Sequence, residues 1–413
     1  DGRGTRSARE TPRVIDLRRQ ASDRNDLLAR RLDTLVPRLM AEQGIDCWVL
    51  IGREYAEDPV LRSMLPAEWL SARRRTILVL TPDDRFAISR YQVGDLFPSA
   101  WDTDVEPDQW ARLADVLDDL APGSIGIGTS PTQAHSDGLT VTQRDALYAV
   151  LPAHLRERLV SAGTLGVRWL ETRLPEERQA FAEATSVAHE ILRTGLSREA
   201  VVPGTTTTDD LVWWYRQTVH DAGLASWFQP SVSTQREGSL DDPRILPGDL
   251  VHVDFGIVHA DLCTDQQEHA YVLGPGESSP PAGLRHGLAR ANRIQDILMG
   301  EFVEGRSGND ILVAARTRAT AEGLDPCIYT HSIGLHGHGA GMTIGLWDAQ
   351  DGVPGPGDHP LYPNTAYSIE LNSRYRVPEW NDRETLFMVE QDAWFDGATC
   401  SWLDGRQEEL WLL

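Results

Sequence analysis

The sequence predicts a two-domain protein of mixed class, an α/β part followed by an α+β part, and three observations lead there. A chain of 413 residues is long for one hydrophobic core. Hydrophobic residues make up 41% and aromatics 7%, a globular composition rather than a disordered one. Stretches with helical spacing alternate with short apolar runs as far as about residue 170, and the alternation then changes character. No run approaches the roughly 18 apolar residues a membrane helix needs, so we expect a soluble protein with no membrane partner.

The chain opens with the polar stretch DGRGTRSARETPR and no methionine, so residues 1–20 are expected to be a polar tail left after a targeting peptide or by trimming. The compartment stays open, cytoplasmic or exported. From about residue 22, NDLLARRLDTLVPRLMAEQG has the spacing of a helix, and the runs at 46–51 and 76–80 and the segment 124–128 read as strands. A domain boundary falls near RWLETRLP, because Pro175 followed by EERQAFAEATSVAHEILRTGL looks like the first turn of a long helix. Domains of 21–174 and 175–413 result. In the second, a helix runs from Thr208 to about 222, a hairpin covers 250–265, helices lie near 283–302 and 308–322, and the end is rich in strands. Helix, helix, hairpin, then helix, helix, strands suggests two similar halves.

Charge narrows the functions open to the chain. It carries 39 basic and 62 acidic residues, a net charge of -23, which argues against a nucleic-acid partner. Every basic residue is arginine, and the missing lysine excludes Schiff-base chemistry, a P-loop and pyridoxal-phosphate attachment. Cys47, Cys263, Cys327 and Cys400 are too scattered for a CxxC site or a disulfide framework.

The stretch HVDFGIVHADLCTD, 252–265, poses the sharpest question. A hairpin centred between residues 259 and 260 sets Asp254 directly opposite Asp265, with Cβ atoms roughly 4.5–5.5 Å apart, where like charges destabilise the pairing. Something positive should sit between them. Downstream, Glu370 and Glu390 each follow an apolar run, and THSIGLHGHGAG at 330–341 carries His331, His336 and His338. Singly, each acid reads as a paired or edge residue and each histidine as a structural one.

Taken together, the order Asp254, Asp265, a histidine in a Gly-rich turn, then Glu370 and Glu390 resembles the metal-binding signature of the creatinase/aminopeptidase P/prolidase metallopeptidases. The strongest stretches are GDLVHVDFG, CTD at 263–265 and THSIGLHGHG. The resemblance implies a C-terminal pita-bread fold, a curved antiparallel sheet with covering helices and pseudo-twofold symmetry, over 175–413, and an α/β creatinase-like N-terminal domain over 21–174. It assigns Asp254 to one metal ion, His331 and Glu370 to a second, and Asp265 and Glu390 as bridges. His331 takes the ligand role because Gly334, Leu335 and His338 fall where that pattern has a glycine, a leucine and a second histidine, and His338 becomes the group that contacts substrate or a transition-state oxygen. Four carboxylates and one imidazole suit two divalent ions, Mn²⁺ with Zn²⁺ or Co²⁺ as substitutes. The implied reaction is metal-assisted amide hydrolysis of short peptides near proline, with Glu370 carrying a proton to the leaving amine, by a homodimer or higher oligomer.

Four departures from that pattern bear on the substrate. No histidine lies between His220 and His252; Gln266-Gln267-Glu268-His269 replaces a Thr-Arg-Thr; Met388 stands where an arginine is usual; and Glu370-Leu371-Asn372 replaces Glu-Pro-Gly. Arg236 is the candidate to take over an orienting, substrate-binding role, against a reading as a structural arginine. Trp227 and Phe228 read as packing, and Cys263 as a small buried residue or a neighbour of the site. Two other functions stay in view: a metal hydrolase of a non-standard amide or modified amino acid, and a non-catalytic pita-bread binding module.

Overall fold

The computed structural model describes residues 16–238 and 241–413, so the expected tail lies largely outside it. Helix α1, Leu17–Gln43, begins earlier than the apolar spacing indicates, because Asp16 accepts from the Arg18 amide and caps it. It ends where Gly44 turns into the left-handed region at φ 64°. Strand β1 (Cys47–Arg53), helix α2 (Pro59–Ser63), strands β2 (Arg75–Leu80) and β3 (Arg85–Ile88), helix α3 (Gln109–Leu120) and strand β4 (Ile125–Ile127) follow. Helices α4 (Val141–Val150) and α5 (Ala153–Arg156), strand β5 (Leu159–Ser161) and helix α6 (Gly163–Glu171) complete this part.

Its five strands form one sheet in the order β3-β2-β1-β4-β5, with β1 parallel to β4 and antiparallel to β2. Period-two alternation gives the sheet two buried faces. Trp48, Leu50, Leu78 and Leu80 pack with α1, α2 and α6, while Val49, Ile51, Ile77 and Val79 pack with α3 and α4. That is the α/β arrangement the alternation predicts.

Helices α7 (Glu177–Gly195) and α8 (Thr208–Asp221) lead into strands β6 (Ser231–Gln235), β7 (Leu250–Phe255), β8 (Val258–His259), β9 (Leu262–Cys263) and β10 (Gln266–Tyr271). The order then repeats: helices α9 (Ala282–Gly300) and α10 (Gly308–Ala321) precede β11 (Pro326–Ile328), β12 (Thr330–Ser332), β13 (Thr343–Ile344), β14 (Thr365–Ser368), β15 (Leu371–Val377), β16 (Arg383–Val389), β17 (Asp392–Phe395), β18 (Cys400–Trp402) and β19 (Trp411–Leu412). The α8 and α10 starts match the predicted ones, because Thr207 and Ser307 cap them through the amides of Asp210 and Asp310. In the first half α7 and α8 cover the sheet β19-β10-β7-β6; in the second, α9 and α10 cover strands of the sheets β11-β15-β16 and β13-β12-β14-β17-β18. The halves join where Gln267 pairs with Glu390.

The predicted hairpin has the wrong register. The turn is Ala260-Asp261, both at positive φ (51° and 63°), rather than His259-Ala260. Asp254 therefore faces Gln267 and not Asp265. Between the two strand pairs the chain bends at Gly256, where an added Cβ would lie 2.2 Å from the Thr264 carbonyl oxygen.

A buried ion network ties the first part to the second. Arg31 of α1 donates to Glu177 at 2.8 Å and to the carbonyls of Thr172 and Trp169, and Arg173 reaches the same carboxylate at 3.3 Å. No helix among the described residues is long and apolar enough to cross a membrane.

Candidate metal centre

Strand register delivers the acidic side chains to one face. Ser231, Asp254 and Gln267 are successive partners across β6, β7 and β10, and the Gln267–Glu390 bridge extends the row into the second half. Leu371 pairs with Val389, which brings the adjoining Glu370 alongside Glu390, and His331 pairs with Ser368 on β14. Residues far apart in sequence thus meet where the two halves join.

His331 is the focus. Its Nδ1 lies 3.0 Å from the Ser332 carbonyl oxygen, which can only accept, so Nδ1 donates and Nε2 is the atom turned towards the carboxylates. Nε2 is 3.6 Å from Glu390 Oε1, 3.7 Å from Asp265 Oδ2 and 3.8 Å from Glu370 Oε2. It is buried without a hydrogen-bond partner, as are Asp265 Oδ1 and Asp254 Oδ1. Buried lone pairs converging without a donor fit a cation, since such atoms are otherwise costly to desolvate. Oxygen donors with one imidazole are also a set that divalent ions such as Mn²⁺ accept.

Electrostatics agrees. Burial first, and then repulsion from Glu390, pushes the Asp254, Asp265 and Glu370 carboxyls well above the ordinary carboxylate range; Asp265 and Glu370 also feel Asp254. The repulsion from which the hairpin argument started is present among these carboxylates, although the pair that motivated it is not directly opposed. Asp265, His331 and Glu390 offer ligand atoms within 4.8 Å of one another; Asp254 is outside that group.

The surrounding groups hold the donors in place. Ser368 Oγ donates to Glu390 Oε1 at 2.6 Å, and the Glu370 amide donates to Thr330 Oγ1 at 3.0 Å. Asp392, buried on β17, accepts from the Asp265 amide at 3.2 Å and from Gln266 Nε2 at 2.5 Å. Gln267 Nε2 donates to both Glu370 Oε1 and Glu390 Oε2 at 2.7 Å. The Gln267 Oε1 accepts from His252 Nε2 at 2.8 Å. Burial pushes His252 down to about 4, so this imidazole is neutral. Sequence reasoning missed Gln267, Asp392 and Ser368; the first was visible only as a departure in Gln266-Gln267-Glu268.

His338 sits at the exposed edge, its ring 4.8 Å from that of His331 and 5.3 Å from that of Trp227. Trp227 donates to the Thr264 carbonyl at 2.9 Å and leans on Gly337, where a Cβ would come within 2.4 Å of the indole. The N-terminal part supports the same loop: Gln133 donates to the Gly341 carbonyl at 3.1 Å and the His135 and His336 rings are 5.0 Å apart. Arg236 is placed elsewhere. It meets Asp249 at 2.8 Å and donates to the carbonyls of Asp242 and Arg244, beyond the end of β6 remote from Ser231 and Asp254. The expected substrate contact is thus replaced by a structural one.

Comparison with known proteins places this geometry in context. The sequence model described as metallopeptidase family M24 matches residues 179–397, which contain every one of the donors above. No curated protein matches the chain. Among solved structures, the X-Pro aminopeptidase from Thermotoga maritima MSB8 is 14% identical, covering 91% of this chain and 100% of its own, with a TM-score of 0.65. The Xaa-Pro dipeptidase from Bacillus anthracis is 17% identical, covering 95% of this chain and 100% of its own, with a TM-score of 0.60. The N-terminal domain of FACT complex subunit SPT16 from Cicer arietinum is 11% identical, covering 96% of this chain and 98% of its own, at 0.57. At such identities the likeness is one of fold.

Proposed function

Because the chain belongs to metallopeptidase family M24, we propose that it is a divalent-metal-dependent exopeptidase acting on short peptides, of the Xaa-Pro aminopeptidase or prolidase kind. The observation that carries the reading is the bare Nε2 of His331 facing oxygens of Asp265, Glu370 and Glu390 at 3.6–3.8 Å. Mn²⁺ is the ion of choice for this oxygen-rich set, with Zn²⁺ or Co²⁺ as substitutes. When bound, the ion would polarise the scissile carbonyl and acidify a water.

The chain's own residues do the rest. Asp265, His331 and Glu390 hold the ion, with Glu370 beside them and Asp254 as the further carboxylate of the two-ion expectation. Glu370, 17% exposed and with its proton affinity raised by burial and by Glu390, takes the proton from water and returns it to the leaving amine. His338 at the rim donates to the carbonyl oxygen as negative charge develops there. Assembly into a homodimer or larger oligomer belongs to the same reading.

Hydrolysis of Xaa-Pro dipeptides and Xaa-Pro-Xaa tripeptides with added Mn²⁺, Zn²⁺ or Co²⁺, read as released amino acid, tests the proposal. No turnover of any peptide would defeat it. A second reading, hydrolysis of a non-standard amide, is favoured by one observation: Arg236, the candidate to orient a peptide, is held by Asp249. Poor cleavage of a peptide library beside efficient cleavage of a modified amide would select it.

A further inference from the structure

In the two-ion arrangement that the resemblance implies, Glu390 would serve both ions and Asp254 would hold the one away from His331. The row of side chains across the joined strands runs Asp254, Gln267, Glu390, so the glutamine lies between the two acids. Neighbouring Cβ atoms in such a row are roughly 4.5–5.5 Å apart, which separates Asp254 from Glu390 by about twice that.

The Gln267 carboxamide fills the interval. Its Nε2 donates at 2.7 Å to Glu370 Oε1 and at 2.7 Å to Glu390 Oε2. The other oxygen of each glutamate is the one turned towards His331. The carboxamide cannot flip without setting its oxygen against two carboxylates and its NH₂ against the His252 N–H, so its orientation is fixed by its partners. An amide NH₂ supplies partial positive charge but no lone pair to a cation. Gln267 is 4% exposed and its amide is anchored on the Glu390 carbonyl at 3.0 Å, which leaves the side chain little room to withdraw. Independently, the mutually close ligand atoms among the described residues belong to Asp265, His331 and Glu390; neither Asp254 nor Glu370 is among them.

We propose that the centre takes one divalent cation, on the His331 side, and that the Gln267 carboxamide occupies the place of a second. The inference rests on the metallopeptidase reading and deepens it: Gln267 is a positioning residue that orients one oxygen each of Glu370 and Glu390 and takes the other.

The test is metal stoichiometry of the whole protein, loaded with excess Mn²⁺, freed of unbound ion and measured by elemental analysis beside its EPR spectrum. The expected result is one equivalent of Mn with the hyperfine signal of an isolated ion. Gln267→Ala should bind two and show exchange coupling. Gln267→Thr, which keeps a residue suited to a strand, repeats the experiment should the alanine variant fail to fold. Two equivalents in the native protein would overturn the inference while leaving the peptidase reading intact, and one in every folded variant would remove Gln267 from it. No bound metal in the native protein after loading in turn with Mn²⁺, Zn²⁺ and Co²⁺ would overturn both.

Discussion

Asp265→Asn should raise the stability of the metal-free protein and abolish its stabilisation by metal. Asp265 is 4% exposed, its Oδ1 lacks a hydrogen-bond partner, and the carboxylates of Glu390, Asp254 and Glu370 repel it. Replacing it with a neutral isostere removes the cost, at pH 8, of either charging this buried carboxyl against its neighbours or keeping it protonated, a change worth about 1–3 kcal/mol. At roughly 2–4 °C per kcal/mol for a unit of this size, melting without metal should rise by several degrees near pH 8. In the native protein a cation at a thousand times its Kd should add about 4.1 kcal/mol, or roughly 8–16 °C. The two proteins should therefore exchange order on adding Mn²⁺: the variant melts higher in a chelator, the native protein higher with metal. Differential scanning calorimetry in both conditions reads the crossover. A variant that melts lower than the native protein in chelator would show that Asp265 is a stabilising structural group, and the reasoning from buried repulsion would fail.

His338→Ala removes a group at the rim without touching a proposed ligand, so kcat for a cleaved peptide should drop by roughly 10²–10³ while bound metal stays constant; parallel loss of metal would make His338 a ligand. Gly337→Ala drives a Cβ to 2.4 Å from the Trp227 indole and should cost about 1–3 kcal/mol, read by denaturant titration. Each contribution to the pH dependence without metal has a defined sign. Burial holds His252 and His336 at about 4, so the unfolded chain binds their protons first and stability is lost as pH falls below the ordinary imidazole value of about 6.5. The raised carboxyls of Asp254, Asp265 and Glu370 act oppositely, holding protons that the unfolded chain has released, so stability is lost as pH rises towards their folded values. The two contributions oppose each other, so the native protein is compared with Asp265→Asn, which takes one raised carboxyl away: the variant should lose less stability in chelator as pH rises, and identical pH slopes would refute the assignment.

Local signals made much of the architecture readable before any coordinates. The caps at Thr207 and Ser307 and the apolar spacing behind them give α8 and α10 within a residue or two, because capping is a short-range hydrogen bond. The strands of the first part are readable as short continuous apolar runs, because both faces of their sheet are buried. The hairpin register was not readable. Ala260 and Asp261 lack the glycine that normally marks two successive positive-φ positions, so nothing local places the turn one residue later than expected.

The sequence by itself determined which side chains were available: four acids and a histidine in a definite order, no lysine, and two glutamines directly after Asp265. Only the tertiary structure decided how they meet. It turned Asp254 towards Gln267, set Gln267 against Glu390 across the junction of the two halves, and took Arg236 away to Asp249. The physical reason is that each of these contacts depends on strand register or on a partner more than ten residues distant, whereas propensity and capping act within one turn. Which oxygen of Glu370 and of Glu390 is turned towards His331 is settled by hydrogen bonds to Gln267 that span more than 100 residues, with |i−j| of 103 and 123.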